Sequence, residues 1–370
     1  MNVEKLSLIN FKNYAEITLN FSPEINCIVG SNGAGKTNLL DAIHYLSLTK
    51  SAFNSIDSQN IRFDQDFFMI KATIDRGGKR EVLCSVQKGK KKTFKVDRSE
   101  YEKLAHHVGQ YPVVLVIPDD SEMIKGASEL RRRFFDALIC QLDKDYLNGL
   151  LRYNHFLKQR NALLKRFKEG LKYDPDLLQP YDQELIDLNV KIYEQRSIFI
   201  KEFTEVFVEM YKRLSMGKEE VCISYDSSVK TQGLKEHFKN ALHTDRALER
   251  TTIGVHRDDF KFLIDERPVK KFSSQGQQKS FLLALKVTHY MIIRKSKGFS
   301  PILMLDDVFD KLDKERIVKL LQIISLEDFG QIFITDARAD RTVELLKELN
   351  LEATFYTIES GTLSYQSEGV

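Results

Sequence analysis

The sequence predicts an α/β fold whose α/β portions lie near the two ends of the chain, separated by a strand meander and a helical insert. Three observations carry this prediction. A short apolar strand, a glycine-rich turn and an apolar helical run follow one another between Ile25 and Leu46. Far downstream, four apolar residues, Ile302 to Leu305, end in the adjacent carboxylates Asp306 and Asp307. Between these stretches the apolar period lengthens from 2 to about 3.6 residues, the change from strand to helix.

Taken in order, Val3, Leu6, Leu8 and Phe11, then Ile17, Leu19 and Phe21, follow strand-like spacing, and Ile25 to Val29 forms a short buried strand. Asn38 to Leu46 then carries apolar residues at helical spacing. From Phe67 to Val96 strands return, punctuated by Gly77-Gly78 and Gly89-Lys90, and Val113 to Ile117 reads as the closing strand of a meander over about 65–117. Between about Glu129 and Leu214 the spacing is helical, with Leu130, Phe134, Leu138 and Leu142 on one stripe and Phe199, Phe203, Phe207, Tyr211 and Leu214 on another. Pro175 and Pro180 turn antiparallel helices around in its middle. Strands resume at Val221 to Tyr225 and Phe260 to Ile264, α/β alternation at Ile302 to Leu305 and Ile332 to Thr335, and a hairpin ends the chain. The expected division is a head of 1–125 and 245–370 and a mainly helical insert of 126–244.

Composition excludes several classes. With 370 residues the chain buries a core without metal or disulfide staples, and 42% hydrophobic against 29% charged residues excludes general disorder. No apolar run approaches the ~20 residues of a membrane span. Charges at Glu4 and Lys5 stand where a secretory signal needs an apolar core, so a cytoplasmic location without membrane is expected. Cys27, Cys84, Cys140 and Cys222 form no C-x-x-C pair and read as reduced, buried thiols. The net charge of +3 identifies no nucleic-acid partner, so any basic surface must be local.

Gly30-Ser31-Asn32-Gly33-Ala34-Gly35-Lys36-Thr37 matches the G-x-x-x-x-G-K-[ST] phosphate loop and lies between strand and helix, the context that pattern requires. Its glycines let successive backbone N–H groups curl round a phosphate, and the helix beginning near Lys36 points its positive end at the same charge. Lys36 would bridge the β- and γ-phosphates of ATP, and the Thr37 hydroxyl would ligate Mg2+. Such a loop needs a second magnesium anchor at the end of a neighbouring strand, and Asp306 supplies it. Asp307 would face the γ-phosphate and orient or deprotonate the attacking water. The bland alternative for both carboxylates is a cap on the following helix. Lys36 and Asp306 stand too far apart in sequence for one uninterrupted nucleotide core, so the head is split.

A third element, Ser273-Ser274-Gln275-Gly276-Gln277-Gln278-Lys279-Ser280, precedes an apolar helical run. Ser274 and the Gly276 amide are free to approach an anion there, although an ordinary capped helix has the same appearance.

The order of phosphate loop, Ser-x-Gly-Gln helix start, strand with two carboxylates and then Phe309-Asp310-Lys311-Leu312-Asp313 resembles the ABC-type P-loop ATPase head. The resemblance implies a composite site, with ATP held between the phosphate loop and Asn38 of one head and Ser274, Gly276 and Gln277 of the other, in an ATP-dependent homodimer. It places Asp313 on the loop lining the dimer contact and Asp336 at the switch position after the Ile332 to Thr335 strand. Asp307 stands where most of the family has Glu.

Nearly the whole chain is similar to the RecF family of recombination mediators. The phrases that carry this are Leu8-Ile9-Asn10-Phe11-Lys12-Asn13-Tyr14, the phosphate loop running into Asn38 to Ile43, Arg131-Arg132-Arg133-Phe134-Phe135-Asp136, Gly254-Val255-His256-Arg257-Asp258-Asp259, Ser274 to Lys279 and Asp306-Asp307. Lys12, where Arg is commoner, and Val255, where Pro is usual, depart from the pattern. The resemblance implies a weak DNA-stimulated ATPase that binds duplex DNA and single-strand/duplex junctions without sequence preference. With RecO and RecR partners it would promote RecA loading.

Local charge offers DNA contacts at Lys90, Lys91 and Lys92 on one hairpin turn and at Arg131 and Arg132 at a helix start. Edge protection and a solvated helix face explain the same residues. The charge-dense segment from Gly254 to Asp259 reads as a polar dimer-contact or strand lead-in loop. The rival functions are a transporter nucleotide-binding subunit, a metabolic P-loop kinase, which needs no Ser274 to Gln277 segment, and a nucleotide-gated scaffold that never hydrolyses.

Overall fold

The computed structural model describes residues 1–215, 219–229, 233–311, 314–326 and 329–368. It divides into one unit of Met1–Asp120, Arg213–Met216 and Lys279–Val370 and a second of Ser121–Lys212 and Gly217–Gln278. The second unit therefore runs past the expected boundary near 245. The cause is strand pairing: Asp259–Ile264 pairs antiparallel with Val221–Asp226, which ties the later segment to the earlier one.

The first unit contains two six-stranded sheets. One is antiparallel, in the order Tyr14–Asn20, Asn2–Phe11, Phe67–Asp75, Lys79–Gln87, Thr93–Val96 and Ser99–Glu100. The alternation expected for Phe67–Asp75 and Lys79–Gln87 is visible as buried and less buried positions in turn. The other sheet runs Thr362–Glu368, Ala353–Glu359, Ile25–Val29, Ile332–Asp336, Ile302–Asp306 and Val113–Val116. All its pairings are parallel except the terminal hairpin. Val113–Val116 thus does not close the meander but pairs with Ile302–Asp306. Its uninterrupted apolar run is the mark of a parallel strand covered on both faces, which an antiparallel edge does not need.

The helix Lys36–Leu48 lies between the sheets, because Leu39, Leu40, Ile43 and Leu46 join a core with Leu8, Phe11, Phe68 and Ile70 on one side and Ile28, Met304 and Phe333 on the other. Full burial of each such side chain stabilises by about 1.5–3 kcal/mol. Phe11 meets Phe68 edge-on at 5.2 Å, seating the turn that follows Phe11. Register sets the outcome for function: Asp306 pairs with Thr335 and Asp336 with Val29, so three strands end side by side. In parallel sheets this carboxyl edge is where ligands bind.

The second unit holds the helices Ser128–Leu142, Lys144–Lys168 and Leu234–Leu248, most of Gln179–Ser215, and a three-stranded antiparallel sheet. Lys144–Lys168 and Gln179–Ser215 run antiparallel, as the bonds Tyr146 to Arg196 and Arg160 to Asp182 require. The buried stripe on Ser128–Leu142 is Phe135, Leu138 and Ile139, rotated by one residue from the expected set because Phe135 packs on Phe260 at 4.3 Å. On the long helix Phe203, Phe207, Tyr211 and Leu214 are buried as expected. Cys27, Cys84 and Cys140 are buried, but Cys222 is exposed on the outward face of its strand.

The charge-dense segment is an internal polar anchor of this unit. Asp258, 1% exposed, accepts bonds from Arg196 Nη1 at 3.0 Å and Ser227 Oγ at 2.6 Å. Arg196 also reaches both oxygens of Asp136 at 3.0 and 2.9 Å and the Val255 carbonyl at 2.9 Å. Gly254 has φ +136°, and a Cβ there would lie 2.6 Å from the Tyr153 hydroxyl. His256 Nδ1 accepts a hydrogen bond from the Tyr153 hydroxyl and Nε2 donates to the Thr251 carbonyl, the roles of a neutral ring.

Burial lowers the His256 pKa from 6.5 to about 4 against the opposing pull of the Thr251 carbonyl. In that window the unfolded chain binds a proton that the folded one refuses, so this contribution to stability is whole above about 6.5 and is lost as pH falls toward about 4. Urea unfolding midpoints measured across the window should fall with pH in the parent and fall less steeply in His256→Gln. Equal slopes would assign the acid sensitivity to other groups.

Candidate nucleotide site

The strand Ile25–Val29 delivers the chain to the carboxyl edge of the parallel sheet, where the loop from Gly30 to Gly35 turns into the helix Lys36–Leu48. That helix has no side-chain cap and no acidic residue in its first turn. Its leading N–H groups are therefore open to an anion, and the helix dipole favours negative charge there. Gly30 has φ +153°, and a Cβ would run into the Ile358 carbonyl, so only glycine lets the loop leave the sheet here.

Lys36 is 3% exposed and donates to the carbonyls of Gly30 at 2.9 Å and Ser31 at 3.2 Å. The ammonium is thus folded back across its own loop, where phosphate oxygens would take over these bonds. Ser31, Asn32 and Gly33 are exposed at the rim, while Ala34 and Gly35 are buried. The Ala34 carbonyl accepts from Asn13 Nδ2 and from the Gly361 N–H, each at 3.0 Å. The Gly35 carbonyl accepts from the Tyr14 hydroxyl at 3.0 Å, and Asn38 Nδ2 donates to Asn13 Oδ1 at 2.7 Å.

Thr37 and Asp306, distant in sequence, meet: the hydroxyl lies 2.9 and 3.0 Å from the two carboxylate oxygens. Thr335 also donates to Asp306 Oδ1 at 2.7 Å and accepts from the Asp307 N–H at 2.9 Å. Burial raises the Asp306 pKa, while the hydrogen bonds from Thr335 and Thr37 oppose the shift. Asp307 adopts φ +46°, a left-handed conformation that Asp tolerates better than most residues, as the chain leaves the strand. A hydroxyl and a carboxylate are hard oxygen donors that suit Mg2+, an ion that keeps waters and phosphate oxygens in its remaining positions. Among the described residues no group of three or more His, Cys, Asp or Glu side chains could hold a metal by itself.

Other expected site residues are placed differently. Asp336 is 1% exposed and fully engaged: Arg341 donates to its oxygens at 2.7 and 3.2 Å, Thr342 at 2.7 Å and the Arg338 N–H at 3.0 Å. These bonds secure the start of the helix Ala339–Glu348. Asp313 lies outside the described residues.

Ser274 and Gln277 form a reciprocal capping box, Gln277 N–H to Ser274 Oγ at 3.2 Å and Ser274 N–H to Gln277 Oε1 at 2.7 Å. The Ser-x-x-Gln spacing carries that signal in the sequence. Gly276 lies in the first turn of the same helix, Gln275–Lys297.

The expected DNA contacts divide. Lys90 and Lys91 are exposed. Lys92 pairs with Asp57 at 2.8 Å and donates to the Thr49 carbonyl at 2.6 Å. Arg131 is held by Asp259 at 2.7 and 3.0 Å, and Arg132 by Ser128 Oγ and the Asp258 carbonyl. These three cations brace the fold and are not displayed for phosphate. Spacing missed an open cleft lined by Lys12, Asn13, Arg62, Phe63, Asp64 and Gln65, in which Phe63 is 86% exposed. Asn13 belongs both to this cleft and to the support of the phosphate loop.

The Asp306 carboxylate generates a test. Since burial raises its pKa, ionisation opposes folding increasingly as pH rises through the raised value, and stability from this group is greatest while it is protonated. Asp306→Asn should therefore leave the nucleotide-free unfolding temperature equal to or above that of the parent at pH 7.5. The same variant should lose the Mg2+-dependent part of nucleotide affinity. A thermally weaker variant with intact Mg2+ dependence would refute this role.

Comparison with known proteins places this geometry in a family. The family described as RecF/RecN/SMC N terminal domain matches residues 2–353. The DNA replication and repair protein RecF of Cytophaga hutchinsonii is 42% identical over 361 residues, covering 98% of this chain and 96% of that protein. The protein of the same name from Phocaeicola vulgatus is 41% identical over 371 residues, covering 100% and 99%. A solved structure of the recombination mediator protein RecF-ATP in the RecFOR pathway matches with TM-score 0.87 at 29% identity, covering 99% of this chain and 97% of that one.

Proposed function

The chain belongs to the RecF family, with the RecF/SMC-like ATPase head fold, and we propose that it is an ATP-gated DNA-binding protein of replication and recombinational repair. The observation that carries the reading is the meeting of Thr37 and Asp306 beside an uncapped helix N-terminus that begins with Lys36. The open N–H groups and Lys36 bind the β- and γ-phosphates, while Thr37 and Asp306 hold Mg2+. When bound, that ion would supply neutralisation of the phosphate charge. Asp307 accepts a proton from, or orients, the attacking water. Its side chain is one methylene shorter than glutamate, which makes the chemical step slow.

The exposed ring of Phe63, with Arg62 beside it, suits the purine base. Ser274, Gly276 and Gln277 meet the nucleotide of a second copy, so ATP closes a head-to-head homodimer over DNA and hydrolysis reopens it. Lys90 and Lys91 contribute sequence-independent phosphate contacts to duplex DNA at single-strand junctions. With RecR and RecO the closed form promotes RecA loading in the cytoplasm. Family membership and the Ser274 segment disfavour the transporter and kinase readings. Among the described residues no helix is long and apolar enough to cross a membrane.

Two variants separate closure from chemistry. Asp307→Asn keeps shape and removes the proton acceptor, so single-turnover cleavage should fall by about 10² or more while ATP-dependent dimers persist in sedimentation. Ser274→Arg should bind MgATP and stay monomeric. Parental cleavage by Asp307→Asn would move the catalytic role elsewhere, absence of cleavage in the parent would favour the scaffold reading, and a dimeric Ser274→Arg would reduce the segment to a helix cap.

A further inference from the structure

We infer that Asn13 and Tyr14, on the turn between the first two strands, are positioning residues that aim two backbone N–H groups of the phosphate loop at the bound phosphate. The inference rests on the MgATP reading above and concerns residues that contact the loop, not the reacting atoms.

In a trans peptide the carbonyl of one residue and the N–H of the next point in opposite directions. The Ala34 carbonyl is turned onto Asn13 Nδ2 at 3.0 Å, so the Gly35 N–H faces away from the turn. The Gly35 carbonyl is turned onto the Tyr14 hydroxyl at 3.0 Å, so the Lys36 N–H faces away as well. These peptides stand just where the loop enters the uncapped helix, and their N–H groups are the donors that an anion there would use.

The turn is built to hold that aim. Asn38 Nδ2 donates to Asn13 Oδ1 at 2.7 Å, which fixes the orientation of the Asn13 amide and keeps its NH2 on Ala34. Tyr14 is fully buried and burial pushes its phenol well above the usual range, so it remains a donor at every physiological pH. Gly35 has φ +120°, and a Cβ there would stand 2.6 Å from Asn13 Nδ2 and 2.7 Å from the Tyr14 oxygen. The glycine is thus required both by its backbone conformation and by the approach of the two side chains that hold it.

Neither bond is needed to satisfy its carbonyl. Ala34 also accepts from the Gly361 N–H at 3.0 Å, and Gly35 from the N–H groups of Asn38 at 2.9 Å and Leu39 at 3.2 Å. Removing one side-chain donor leaves no orphaned buried oxygen, so it loosens the aim of the peptide at small cost to folding.

Asn13→Ala and Tyr14→Phe test this in the full-length chain, with calorimetric Kd values for MgATP and MgADP, kcat at saturation and the nucleotide-free unfolding midpoint. The phosphate shared by both nucleotides is the one the loop encircles. Each variant should therefore weaken both by about 3- to 10-fold, the scale of one net hydrogen bond. Because the donors serve ground and transition states alike, kcat should stay within about twofold of the parent. Unchanged Kd values, or a loss confined to kcat, would overturn the inference, as would weakening that appears only in proportion to lost nucleotide-free stability. A parent chain that binds neither nucleotide would instead overturn the MgATP reading itself.

Discussion

The carboxylate of Asp306 is taken out of water at the end of a strand buried along its length, and a buried carboxylate is tolerated only where donors replace its lost hydration. Two hydroxyls do so, Thr37 from the phosphate-loop helix and Thr335 from the neighbouring strand. The parallel register is what brings them there, since it sets Asp306 opposite Thr335 and Asp336 opposite Val29. Slipping any one strand by a residue would turn its side chain to the other face and dismantle the cluster. The chain is interrupted between Lys36 and Asp306 by a meander and a second unit, and strands from before and after that interruption pair in one sheet.

Two helix starts in this molecule are treated in opposite ways. Lys36–Leu48 begins with no side-chain cap, and its leading carbonyls are drawn back by Asn13 and Tyr14. Gln275–Lys297 begins with a complete capping box that stabilises it by about 1 kcal/mol. An uncapped start forgoes that stability and gains an anion site. A capped one is rigid before any ligand arrives, and the Ser274 hydroxyl keeps its own proton to donate. That asymmetry fits a division of labour in which one element grips the nucleotide within its own chain and the other presents a preformed edge to a second copy.

Local patterns made the chemistry legible: the phosphate loop, the two carboxylates after an apolar run and the Ser274 segment each announce themselves within ten residues. What spacing could not supply was partnership across the fold. The resemblance implies a switch role for Asp336, and nothing in the order of residues says that Arg341 and Thr342 bond to it from the helix that follows. Arg131 and Lys92 read as surface charge because their partners, Asp259 and Asp57, come from other elements. Proximity in sequence points Val113–Val116 to the meander, whereas its continuous apolar character suits the parallel sheet. Asn13 and Tyr14 drew attention only as part of a family phrase, since an amide and a phenol on a turn declare no function until the loop they hold is seen.

Hydrogen–deuterium exchange with and without MgATP reads the phosphate loop's own N–H groups. MgATP should slow exchange over residues 31–38 and 302–307 at every protein concentration. Over 274–278 it should slow exchange only at concentrations where two copies associate. Unchanged exchange over 31–38 at saturating MgATP, with protection appearing elsewhere, would contradict a phosphate site at this loop.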